Sequence, residues 1–122
     1  MIDKYILKHS HKVSENDFYR AYKIFFNTLA SEQRLRILNL LREKVMNASE
    51  IQKRTKLEQT AVSHNLRKLR EHGFVFQEKK WKYRYYTLNT KTIKPLLYLI
   101  DEHMKDYCLK IIQNLKGGKN EK

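Results

Sequence analysis

Apolar residues recur along this chain at two different periods. Over residues 57–75, Val62, Leu66 and Leu69 form a stripe at three- and four-residue spacing, the mark of a helix with one buried face. The positions between them are polar or cationic: Gln59, Thr60, Ser63, His64, Arg67 and Lys68. Gly73 follows, where a left-handed residue is expected to end the helix. Phe74-Val75-Phe76-Gln77-Glu78 and Lys82-Tyr83-Arg84-Tyr85-Tyr86-Thr87-Leu88 are then β-rich, the second alternating charge and aromatic ring over its first part. Lys79 to Lys82 joins them as a tight basic tip. The pattern predicts a helix followed by a two-stranded wing.

The rest of the chain reads as helices. Ser14 suits an N-cap, Asp17 lies three positions on, and Phe18, Ala21, Tyr22, Phe25 and Leu29 repeat at three and four. Ser31 caps a second helix whose apolar positions are Leu35, Ile37, Leu38, Leu40 and Leu41. Val45-Met46-Asn47 is a short extended piece. A third helix runs from about Ala48 to Lys53 with Ile51 inward, Thr55 to Glu58 makes the turn, and the helix above ends at His72. A last helix starts at Asn89 or Thr90 and runs to about Leu115. The fold class is mainly α with a small β-wing, a winged helix-turn-helix in the order α-α-α-α-β-β-α. Residues 14–115 form the domain, residues 1–13 a flexible arm, and residues 116–122 a disordered tail.

The last helix carries a longer stripe than the others: Ile93, Leu97, Ile100, Met104, Tyr107 or Cys108, Ile111 and Leu115. It spans roughly 30 Å at 1.5 Å per residue, more than a small wing can cover. A partner helix from a second copy would cover it, because most soluble oligomers are symmetric homodimers. The expected interface takes Phe18, Tyr22 and Phe25 from the first helix, and Leu97, Ile100, Met104, Cys108, Ile111 and Leu115 from the last.

Charge sharpens this picture. The 122 residues carry a formal net charge of +13, which calls for a polyanionic partner. Residues 53–91 hold eleven Lys or Arg against three Asp or Glu, so the surplus concentrates on the helix and wing that would do the reading. A helix with one core face and one cationic face fits the major groove of DNA. Double-stranded DNA is therefore the expected partner. Gln59, Thr60, Ser63, His64, Arg67 and Lys68 would reach bases or phosphates from the helix, and Lys79, Lys80, Lys82 and Arg84 phosphates or a minor groove from the wing. Trp81, at the tip, has two open readings: a ring wedged or stacked at the groove, or one lying back across the sheet.

Other classes fit poorly. No apolar run approaches the roughly 20 residues that span a bilayer, and the first residues do not read as a signal peptide. The single cysteine, Cys108, excludes an internal disulfide framework. A cytoplasmic, non-membrane protein is expected. There is no Gly-rich phosphate loop, no supported Ser/His/Asp set and no paired carboxylates, so no enzyme is expected.

Three stretches resemble the ArsR/SmtB family of winged-helix repressors. Leu29-Ala30-Ser31-Glu32-Gln33-Arg34-Leu35-Arg36-Ile37-Leu38-Asn39-Leu40-Leu41 is similar to its opening signature. Ala61 to Val75 is similar to its recognition helix and wing entry, and Tyr85-Tyr86-Thr87-Leu88 to its wing exit. The resemblance covers about residues 15 to 115. It implies a homodimeric transcriptional repressor on a palindromic operator, released by an effector.

The departures bear on that effector. Many members sense metal through a cysteine pair in the third helix, but Met46-Asn47-Ala48-Ser49-Glu50-Ile51 contains no cysteine. Others use a ligand set on the last helix. Asp101 and His103 match its first half, while its second half falls on Asn114 and Gly117, which are not zinc ligands. Two ligands per chain fall short of the four that zinc takes. His9, His11 and Cys108 are the remaining candidates. No resident metal or cofactor is expected. Two rivals stay open: a regulator without a small-molecule effector, and an architectural or adaptor module that binds nucleic acid without sequence preference.

Overall fold

The computed structural model describes residues 13–117. They fall into two compact units, one ending at Thr87 and the other starting at Leu88. The first holds helices α1 (Glu15–Leu29), α2 (Glu32–Glu43), α3 (Ala48–Thr55) and α4 (Gln59–Glu71), the short strand β1 (Met46–Asn47), and strands β2 (Val75–Lys80) and β3 (Tyr83–Leu88), the last of which runs to the boundary. The second holds helices α5 (Ile93–Asp106) and α6 (Cys108–Gly117).

Local chemistry sets most boundaries. Ser14 Oγ accepts from the Asp17 N–H while Asp17 Oδ2 accepts from the Ser14 N–H, a capping box that opens α1. Those bonds from Ser14, the backbone N–H foremost, hold the Asp17 carboxyl below its ordinary range, with Arg20 adding a smaller pull. Its support for α1 is full at neutral pH and fades only as acid titrates the carboxylate through that lowered range. Asn47 and Glu50 form a second capping box at α3, and Ser31 Oγ accepts from the Arg34 N–H at the start of α2. At the end of α4, the Phe74 N–H donates to Leu69 O at 2.8 Å and the Gly73 N–H to Arg70 O at 3.1 Å. This is a Schellman stop, and Gly73 takes the left-handed φ of +76° that it needs. Lys56 adopts the same region, φ 61°, to end α3 and open the helix-turn-helix turn.

The sheet has the order β1-β3-β2, with Met46 opposite Tyr86 and Asn47 opposite Tyr85. Within the first unit the buried apolar side chains include Ile37, Leu38, Met46, Ile51, Val62, Leu66, Leu69, Phe74 and Val75. The Phe25 ring stacks on Phe74 at 5.2 Å and 24°, so a residue expected at a dimer seam packs inside its own chain.

A polar network runs through this apolar core. Arg34 donates from Nε to Thr28 O at 2.6 Å, from Nη2 to Asn27 O at 3.1 Å, and from Nη1 to Asn65 Oδ1 at 3.2 Å. Asn65 donates in turn to Gln33 Oε1 at 2.8 Å and Ala61 O at 2.9 Å. Asn65 is only 4% exposed. The guanidinium thus covers the carbonyls left open at the C-terminus of α1, where a cation also suits the helix dipole. Through Asn65 it ties α1 and α2 to α4.

In the second unit, Asn89 Oδ1 accepts from the N–H groups of Lys91 and Thr92 and so starts the turn into α5. Pro95 sits in the first turn of α5, where its missing N–H costs no helical bond. The single last helix expected to end near Leu115 is corrected in two respects. It breaks at Tyr107, whose φ of −126° and ψ of −69° leave the helical region. It also resumes to Gly117, so the start of the expected tail is helical.

The network generates a stability prediction. Asn65→Ala leaves an Arg34 donor, the Gln33 carbonyl and Ala61 O without this partner, and should cost about 2–3 kcal/mol in urea unfolding followed by circular dichroism. Arg36→Ala, which removes the exposed pair with Glu32, should change stability by less than about 0.5 kcal/mol. Equal losses in the two variants would show that the network holds nothing together.

Candidate nucleic-acid interface

The α4 helix divides its residues between two jobs. Val62, Asn65, Leu66 and Leu69 are buried, which turns the remaining face outward. Gln59, Thr60, Ser63, His64 and Arg67 are exposed and Lys68 is half-buried. His64 therefore lies on the outer face, and the neighbouring Asn65 makes the tie to the core. Glu58, at the N-cap, makes no side-chain cap bond, so the first N–H groups of α4 lack that partner. Farther along, His64, Arg67, Lys68, Glu71 and His72 line a shallow groove of about 230 Å³. Arg67 Nε sits 3.2 Å from Glu71 Oε2, with both side chains largely exposed. This pair holds Arg67 on the helix surface and is weak enough to be exchanged for a phosphate or a base edge.

The wing begins where α4 stops. Gly73 and Phe74 pass the chain directly into β2, and β3 returns after a two-residue tip, Trp81 and Lys82. Lys79, Lys80, Lys82 and Arg84 are all exposed along this hairpin. Lys80 also lies 3.6 Å from Glu78 in an exposed pair. On the other side of β3, Tyr86 is buried and its hydroxyl accepts from Gln77 Nε2 at 2.8 Å, while Gln77 Oε1 accepts from Arg70 Nη1 at 2.8 Å. That chain of bonds fixes the wing to the end of α4. Trp81 is 81% exposed with φ +59°, a conformation that costs a bulky residue about 1–2 kcal/mol. Its ring meets Tyr83 of β3 edge-on at 6.3 Å and is otherwise open to solvent.

The remaining candidates lie elsewhere. Asp101 and His103 are exposed on α5, and the His103 ring lies 4.7 Å from Tyr107. No group of three or more His, Cys, Asp or Glu placed to hold a metal occurs among the described residues. His9 and His11 lie outside the described residues. Of the expected dimer positions, Phe18, Phe25, Ile100 and Met104 are half-buried, and Tyr22, Cys108, Ile111 and Leu115 are exposed. Leu97 is only 3% exposed and so is spent within one copy. Asn65 escaped the sequence reading. Its signal was there, a polar residue three positions after Val62 and four before Leu69, on the apolar face.

Comparison with known proteins agrees with this geometry. The model of the "Bacterial regulatory protein, arsR family" matches residues 31–76, from the cap of α2 into β2. The transcriptional activator HlyU of Vibrio cholerae is 31% identical over 77 residues, covering 63% of this chain and 71% of that protein. The chain belongs to the arsR family. Among solved structures, Rv0081 of Mycobacterium tuberculosis matches this arsR-family chain with a TM-score of 0.73 at 27% identity, over 78% of this chain and 96% of that one. The transcriptional repressor PagR of Bacillus anthracis matches with a TM-score of 0.58 at 27% identity, over 67% and 98%. As an arsR-family member, the protein is a transcriptional regulator with a DNA-binding winged helix, not an enzyme. No helix among the described residues is long and apolar enough to cross a membrane.

The Arg67–Glu71 pair generates a second prediction. Glu71→Gln frees the guanidinium and removes an anion from the reading face. It should raise affinity for duplex DNA about twofold or more at low salt, measured by fluorescence anisotropy. Unchanged or weaker binding would place Arg67 outside the contact surface.

Proposed function

We propose that this regulator is a homodimeric repressor that binds a palindromic operator in the cytoplasm. The observation that carries the reading is the division of α4: its apolar side and Asn65 are spent in the core, and its outer side offers polar and cationic groups, with Glu71 its one anion. Ser63, His64 and Gln59 supply base-edge contacts, Arg67 a base edge or a phosphate, and the wing lysines the backbone contacts that set register. Affinity comes largely from phosphate neutralisation, and α4 adds the sequence preference.

A second copy is supported by apolar surface that one copy leaves open. Tyr22 and Phe26 on α1 and Leu109, Ile111, Ile112 and Leu115 on α6 are each about half exposed or more, and α6 buries no residue at all. A two-fold symmetric pair would set two α4 helices about one DNA turn apart. HlyU carries the name of an activator and PagR that of a repressor. The sign of regulation follows from where an operator lies relative to a promoter. Repression by occupancy asks nothing more of a regulator than DNA binding. No effector is required by this reading.

Two measurements test it. Anisotropy on a duplex from the protein's own upstream region should exceed that on a scrambled duplex by about a thousandfold, and log K should fall with log salt at a slope of roughly −5 to −9. Arg67→Ala should weaken specific binding by about 1–3 kcal/mol if it reads a base. A slope near −1 contradicts the proposal, as does equal binding to duplexes that each carry a different upstream segment. For the dimer, light scattering after size exclusion should give twice the 14.9 kDa chain mass, and Ile111→Glu with Leu115→Glu should return it to a monomer with weaker operator binding. A wild-type monomer at tens of micromolar would favour the adaptor reading.

A further inference from the structure

The wing tip holds a feature that phosphate contact does not explain. Trp81 is the only tryptophan in the chain and one of the most exposed large apolar side chains described. It also occupies a left-handed backbone position, φ +59°, where glycine is the unstrained residue. The indole is braced rather than loose. It meets Tyr83 edge-on at 6.3 Å and 61°, and Tyr83 meets Tyr85 at 6.4 Å and 59°, so three rings form a ladder down one face of β3. Lys82 Nζ stands 4.9 Å from the Trp81 ring and 5.5 Å from that of Tyr83. Lys79, Lys80 and Arg84 lie on the adjoining strand ends and are exposed. A flat apolar ring is thus presented at the end of the hairpin, with Lys82 against it and further cations along the same two strands.

The occupant that fits this shape and charge is a DNA minor groove. The hairpin leaves the end of α4, and six residues of strand carry its tip roughly 20 Å. Half a turn of DNA, the step from a major groove to the next minor groove, is roughly 17 Å. With α4 in the major groove the tip comes level with a flanking minor groove, where cations meet phosphates and an apolar wedge meets the edges of stacked bases. We infer that Trp81 is such a wedge: its indole enters partway between two base pairs at the flank of the operator and selects a flexible pyrimidine–purine step there. Such steps unstack most easily, so the preference arises at base pairs that α4 does not touch. The inference rests on the DNA-reading role of α4 proposed above.

The test uses duplexes that the full-length protein selects from a randomised pool. Because Trp81 is the sole tryptophan, its emission reports its surroundings directly. It should be quenched on the selected duplex, and a TA or CA step should recur at the flank. Replacing that step by a stiff A-tract step should weaken wild-type binding roughly tenfold and Trp81→Ala binding less than twofold, with Trp81→Phe in between. Trp81→Gly relieves the left-handed strain, so it should melt higher by roughly 4 °C and yet bind as weakly as Trp81→Ala; this separates the contact from folding. Both variants should still prefer the selected duplex to a scrambled one, through α4. Unquenched emission, or equal step sensitivity in wild type and Trp81→Ala, overturns the wedge while leaving α4 as the reader. Equal quenching by a single strand also overturns it, in favour of stacking on unpaired bases. A pool that yields no enriched sequence overturns both roles together.

Discussion

One guanidinium holds the reading head in place. Arg34 reaches back to the open carbonyls of α1 and across to Asn65 on α4, and each of those groups would be costly to bury alone. Apolar packing around Leu66 and Leu69 tolerates small slides and rotations, because hydrophobic contact has no direction. Hydrogen bonds do have direction. With Asn65 bonded through both ends of its amide, α4 has one rotation about its own axis that satisfies the network. That rotation faces Ser63, His64 and Arg67 outward. The core supplies most of the adhesion, and the network supplies the angle.

The wing inherits that angle. The Schellman stop at Gly73 leaves only His72, Gly73 and Phe74 between α4 and β2, and the Arg70–Gln77–Tyr86 bonds tie the strands to the last turn of the helix. Helix and hairpin are therefore presented as a single piece. If both meet DNA as proposed, the two contacts form one binding event, and the second carries little further entropic cost.

Much of this was legible in the sequence because it depends on neighbours a few residues apart. Ser14 with Asp17, Ser31 with its helix, and Gly73 with the β-rich run behind it follow from local capping rules. The hairpin follows from the switch to alternating positions, although its tip is Trp81 and Lys82 alone and not the longer connection from Lys79 to Lys82, because Lys79 and Lys80 extend β2. What was hidden depends on distant partners. Asn65 gains its meaning from Arg34, 31 positions away, and Phe25 stacks on Phe74 of its own chain. Periodicity marks a residue as apolar-facing without saying which surface it meets, and this is also why Leu97 read as interface while being spent within one copy. The break at Tyr107 had no local cue, since no proline or glycine lies near it. For the contact face the residues themselves were readable, because exposed polar positions between the apolar ones of α4 follow from spacing alone.

The separation within α4 has a consequence for how such a protein diversifies. Its interior residues are engaged with Arg34, Gln33 and the core, whereas Gln59, Thr60, Ser63 and His64 contribute nothing that the fold depends on among the bonds described. Exchanges at those four positions leave the scaffold intact. A duplicated copy of the gene could move to a new regulatory sequence by surface substitutions alone, without compensating changes inside, and a designer could retarget it by the same route.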